Sequence, residues 1–150
     1  ALAACERLAD LCAEAQNRQA AANAGAIEAI VAALQAHPQV AVVQQGGCMA
    51  MANVCAGFDA AGIARKQRAA DAGGIEVAVA AMRAHPQVAR VQQFGCWALS
   101  NVCLGTDAAA LVVAALQAHP QHVGVQQDCC RALGTVCYGS DAAAFARIQR

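Results

Sequence analysis

Nine cysteines and four histidines are the residues of this chain most able to do chemistry, and their spacing decides what that chemistry is. Cys5 and Cys12, Cys48 and Cys55, Cys96 and Cys103, and Cys130 and Cys137 are each seven residues apart. On a helix such a pair shares a face but lies about 10.5 Å apart along the axis. That is too far for one disulfide, or for one zinc ion with sulfur ligands about 2.3 Å away. The cysteines therefore read as buried free thiols, small hydrophobes suited to a reducing compartment. Only the adjacent Cys129 and Cys130 invite a redox role. His37, His85 and His119 each precede a proline and are expected at helix ends, where an imidazole can meet the last carbonyls. They stand one sequence copy apart, so no metal set follows from them, and His122 reads as a loop residue.

Catalysis would need a nucleophile with a base, ligand spacings on a helix, or a glycine-rich phosphate loop after a strand. The sequence offers none of these, and the expectation is a protein without catalytic residues, metal or cofactor.

The elements that position these side chains repeat. The stretch Val91-Gln92-Gln93-Phe94-Gly95-Cys96-Trp97-Ala98-Leu99-Ser100-Asn101-Val102-Cys103 recurs from Val43 to Cys55, from Val125 to Cys137, and in part from Cys5 to Cys12. The three His-Pro pairs agree with it: 48 residues separate the first two and 34 the second two. A period of this size signals an array of stacked units. The best-formed copy predicts three helices. Asp59 is the expected N-cap of the first, through Ala60 to Ala70, ending before Gly73-Gly74. The second runs from Ile75 to about Ala84, and its counterpart places Ile27, Ile30, Val31 and Leu34 on one amphipathic stripe. The third runs roughly from Gln87 to Leu104, with Pro86 suited to its first turn. Gly95, and Gly46-Gly47 in the preceding copy, weaken the helix but let a neighbour approach closely.

A short helix, a glycine turn, an amphipathic helix and a longer third helix with Asn near its end resemble the armadillo repeat. Gly25-Ala26-Ile27-Glu28-Ala29-Ile30-Val31-Ala32-Ala33-Leu34 is similar to that family's second helix, and Cys96-Trp97-Ala98-Leu99-Ser100-Asn101-Val102 to its third. The resemblance implies an all-α protein, a right-handed α-solenoid of three-helix repeats. On that reading the chain divides into a partial repeat over 1–16, repeats over 17–57 and 58–105, a shortened repeat over 106–138 and a partial repeat over 139–150. The unit near Asp107 to Val113 is 14 residues short, about a first helix and its turn, as in a two-helix HEAT-like unit. Ragged ends suggest a section of a longer array.

In armadillo proteins the third helices line a groove that holds an extended peptide, and an Asn amide there offers the peptide main chain both a donor and an acceptor. Asn53 and Asn101 match that position; Thr135 and Asp10 replace it in the other copies. With the residues one and two turns earlier they form three rungs: Gln45, Met49 and Asn53; Gln93, Trp97 and Asn101; Gln127, Arg131 and Thr135. Glu6 and Asp10 make the first end acidic, while Arg131 makes the other basic. The Trp97–Asn101 pair resembles those with which importin-α grips nuclear localisation signals. Two structural roles stand beside these: Trp97 as a packing anchor between repeats, and the Asn side chains as bridges to a neighbouring backbone. Arg65, Lys66 and Arg68 read as a solvated helix face or an acidic partner's docking site.

Composition narrows the partner. A formal charge of +0 gives no electrostatic reason for nucleic acid or an anionic membrane. No apolar run approaches the roughly 20 residues of a bilayer span. A hydrophobic share of 59% with only 3% aromatics, carried by small side chains, favours closely packed helices. The sequence thus points to an intracellular scaffold, cytoplasmic or in a cytoskeletal or ciliary assembly, that binds a protein segment or neighbouring subunit. An adaptor for basic peptides is the alternative, and a small-molecule substrate is not expected.

Overall fold

The computed structural model describes residues 2–102 and 108–138, and the side chains of 2–102 and 112–135. Over these the regular structure is all α-helix, joined by turns, with no strand. The helices are α1 (Leu2–Ala13), α2 (Ala15–Asn23), α3 (Ala26–Ala36), α4 (Ala41–Val54), α5 (Ala60–Asp71), α6 (Gly74–Ala84), α7 (Ala89–Val102), α8 (Ala108–Ala118) and α9 (Val123–Tyr138). None is long and apolar enough to cross a membrane. The expectations for Cys103 to Asp107 and for the segment 139–150 lie outside the described residues, as do those for the side chain of Cys137.

The copies seen in the sequence pack in their own order. α1 lies on α4, α4 on α7 and α7 on α9, while α3, α6 and α8 each flank the long helix that follows them. The core is one continuous cluster running from Ala9 and Cys12 through Met51, Met82 and Leu99 to Val125 and Cys129. Small residues set its spacing. A Cβ on Gly47 would come within 2.5 Å of Leu34, and one on Gly95 within 2.5 Å of Met82, so each glycine is the seat of a large side chain from the preceding helix. Gly25 and Gly73, at φ 85° and 88°, turn the chain into α3 and α6 in the left-handed conformation that other residues avoid. Asp59 caps α5 as the sequence leads one to expect, its carboxylate accepting from the Gly62 N–H at 2.9 Å.

The thiols behave as small hydrophobes. Cys5, Cys12, Cys48, Cys55, Cys96 and Cys129 are buried and unpaired, whereas Cys130 is exposed. Burial pushes the Cys48 and Cys55 thiols up to about 12. Cys96 is raised by its hydrogen bond with Cys129 and by burial.

One expectation about the turns fails. Pro86 does not open α7: it is the second residue of a turn from His85 to Val88, closed by the Val88 N–H on the His85 carbonyl at 3.1 Å. His37 to Val40 and His119 to His122 make the same turn. Proline suits that position because its ring fixes the φ the turn needs.

Candidate functional site

The predicted rungs lie on the long helices, within reach of solvent. Gln45, Met49 and Asn53 on α4, and Gln93, Trp97 and Asn101 on α7, are all half-buried. Gln127 and Arg131 on α9 are exposed, and Thr135 is half-buried. On α1, Glu6 and Asp10 are exposed, Asp10 beside a cleft of about 300 Å³ also lined by Arg7, Leu11, Glu14 and Asn17.

The two asparagines serve the scaffold as well as the surface. Asn53 donates from Nδ2 to the Ala9 carbonyl at 2.9 Å, and Asn101 to the Ala52 carbonyl at 2.8 Å. Ala52 lies in the last turn of α4, where carbonyls have no intrahelical partner, so Asn101 closes a helix end as it joins two helices. Each amide keeps its oxygen and a second hydrogen for another contact. Thr135 turns inward instead, its hydroxyl donating to the Arg131 carbonyl of its own helix at 3.1 Å.

Trp97 and Met49 lean on the core, and Trp97 lies 6.3 Å from the Phe94 ring at a tilt of 42°. Gln93 is engaged across the α7–α9 junction. Its amide lies where a Cβ on Gly124 would fall and hydrogen-bonds the Asp128 carboxyl. Asp128 is buried, and desolvation raises its pKa, while the Gln93 bond and the charge of Arg131, 3.5 Å away, pull it down.

The basic run on α5 is solvated only in part: Arg68 is exposed and Lys66 half-buried, whereas Arg65 turns into the fold. Arg65 is buried, donating to the Val54 carbonyl at 2.8 Å, the Ala56 carbonyl at 2.9 Å and Gln19 Oε1 at 2.9 Å. Three acceptors at the end of α4 and on α2 draw it in, because a guanidinium presents a fork of donors without needing a carboxylate. Arg68 meets Glu28 through two bonds, at 2.6 and 3.0 Å, and the Ala22 carbonyl at 2.8 Å. That pairing holds the Glu28 carboxyl below its ordinary value. Lys66 sits 4.6 Å from the centre of the exposed Phe58 ring. Arg65 and Arg68 are thus held by partners within the fold, while Lys66 rests on an exposed ring.

The side chains of His85 and His119 reach the preceding turn rather than the last carbonyls of their own helices. His85 Nε2 donates to the Pro38 carbonyl at 2.9 Å and His119 Nε2 to the Pro86 carbonyl at 2.8 Å, so each ties its turn to the preceding one. His122 is the N-cap of α9, its Nδ1 accepting from the Val125 N–H at 3.2 Å.

Sequence reasoning also passed over the first glutamine of each pair. Gln44 donates both amide hydrogens, to the Leu34 carbonyl at 2.9 Å and the His37 carbonyl at 2.8 Å. Gln92 does the same to Met82 and His85, and Gln126 to Leu116 and His119. These carbonyls end α3, α6 and α8, where the following proline has no N–H to offer. The signal was present: a fixed offset of seven from each His to the Gln in all three copies.

No family model, curated protein or solved structure matches the chain.

Proposed function

We propose that this chain is a section of an armadillo-like α-solenoid, a non-catalytic scaffold whose long helices hold an extended protein segment or a neighbouring subunit. The observation that carries the reading is the paired rungs of α4 and α7. Met49 and Trp97 offer apolar contact at matching positions, and amides stand one turn to either side, half open to solvent. An extended segment lacks internal hydrogen bonds, so it gains from main-chain partners at regular intervals and from shallow pockets for its side chains. The staples beneath the rungs support a face that holds its shape before binding, which limits the ordering cost of association.

The test is selection of random peptides of about 12 residues on the purified chain. The sole tryptophan reports contact through its emission. Selected peptides are expected to perturb Trp97, and Trp97→Ala combined with Met49→Ala is expected to weaken them more than about fivefold, as buried anchors usually do. Asn101 is left intact because its amide also closes α4. Unchanged affinity in the double variant would remove the groove reading.

The exposed Glu6 and Asp10 favour a second reading, an adaptor that takes a basic peptide. Titration with a lysine-rich peptide at moderate salt separates the two: an adaptor binds it and a structural subunit does not.

A further inference from the structure

The α7–α9 junction differs from the others at the residue that caps the long helix. Before α4 and α7 that place is held by Val40 and Val88, which offer no acceptor side chain. There the Val43 and Val91 N–H groups turn to the Val40 and Val88 carbonyls, each at 2.9 Å. Before α9 it is held by His122, whose ring nitrogen Nδ1 accepts from the N–H three residues on. We propose that His122 is an acid-sensitive cap, whose second proton releases the first turn of α9 and loosens its seat on α7.

The chemistry follows from which nitrogen does what. A neutral imidazole can accept through Nδ1 only while its proton sits on Nε2, and an imidazolium has no acceptor left. Its charge would also face the positive end of the helix dipole. Imidazoles take up that proton between about pH 5 and 8. His85 and His119 answer acid differently: each donates to a carbonyl through Nε2, and a donor stays a donor when the ring is charged. Acid therefore leaves the links between turns in place and removes the cap alone.

The charged and titratable groups on the surrounding elements are Arg90 and the Cys96 thiol of α7, Arg83 and His85 at the end of α6, His119 of the same turn, and Asp128, Arg131 and the Cys129 and Cys130 thiols of α9; α8 carries none. Among these Asp128 is the one whose response to acid opposes that of His122, because neutralising a buried carboxyl favours the folded helix. What the release reaches is specific. Gly124, two residues beyond the cap, is the seat of the Gln93 amide, which also holds Asp128. Fraying the first turn frees Gln93 toward solvent. The proposal stands whether or not the rungs bind a peptide.

The experiment is amide exchange on the whole chain at about pH 7.5 and about pH 5.5, the range where an imidazole changes charge. The Val125 protection factor is expected to fall about fivefold on acidification, the usual worth of an N-cap. His122→Asn, which caps without titrating, is expected to stay flat, and His122→Ala to be low at both values. Asp128→Asn is expected to keep the response. Constant protection in the unmodified chain, an equal fall in His122→Asn, or loss of the response in Asp128→Asn would each overturn the proposal.

Discussion

The α4–α7 and α7–α9 junctions are built on the same staples and faced with different side chains. Gln92 and Gln126 close the ends of α6 and α8 identically, and His85 and His119 reach back to the preceding proline carbonyl in the same way. The contact face has changed. Asn101 bridges α7 to α4, but Thr135 bonds within α9, and Asp128 stands where α7 has Phe94. The lesson is that bonds to main-chain carbonyls keep the geometry, since every residue supplies that acceptor. Contacts between side chains are where one junction can differ from the next.

The largest expected effect tests the staple. Gln92→Ala strands the buried Met82 carbonyl, while the His85 carbonyl keeps the Val88 N–H. It is expected to cost about 2–3 kcal/mol in denaturant unfolding, since a stranded buried polar group costs roughly 1–3. Gln126→Ala, at a half-buried site, is expected to cost about half as much. Equal losses would mean that the two junctions bear the same load.

Next comes the bridge. Asn101→Ala removes one half-buried hydrogen bond between helices and is expected to cost about 1 kcal/mol. Thr135→Ala removes a bond internal to an exposed turn and is expected to stay within about 0.5 kcal/mol. A comparable cost at Thr135 would show that α9 is held by more than the local bond.

The smallest effect concerns Asp128. Its folded-state pKa is raised, so between the unfolded and folded values the native chain holds more protons, and stability falls as pH rises through the folded value. Acidification from neutral is therefore expected to stabilise the α7–α9 junction through this residue, the reverse of Glu28, whose pKa is depressed by Arg68. Asp128→Asn is expected to gain under about 1 kcal/mol at neutral pH and to flatten this part of the profile. A loss there would show that the carboxylate's bonds outweigh its burial.

Much of this framework was legible in the sequence. The repeated stretch marks the long helices, the Gly73-Gly74 pair marks the turn into α6, and Asp59 marks the start of α5. The described thiols at seven-residue spacing, Cys130 excepted, were legible as core because helical periodicity depends only on neighbours in sequence. What escaped was long-range. Arg65 looks like any surface arginine until the end of α4 supplies carbonyls beside it, and Gln44 looks like Gln45 until α3 is seen to end against it. The side of a helix that a polar residue faces depends on an acceptor set by the fold. At the rungs the exposed face was legible, but the second engagement of Asn53, Asn101 and Gln93 was not.

Most side-chain bonds that join one helix to another among the described residues share a direction; Gln93 with Asp128, Cys96 with Cys129 and the Cys55 thiol with the Arg65 carbonyl are exceptions. Arg18 reaches back to the end of α1, Asn53 to Ala9, Gln44 to Leu34, Arg65 to Val54, Arg68 to Glu28 and Ala22, and Asn101 to Ala52. In each of these the donor comes later in the chain than its acceptor. A polypeptide leaves the ribosome from its N-terminus, so each emerging segment carries the groups that finish what is already outside. Each helix therefore leaves the ribosome with carbonyls that stay without a side-chain donor until the following segments emerge, and the last of the chain completes the ends of what came before.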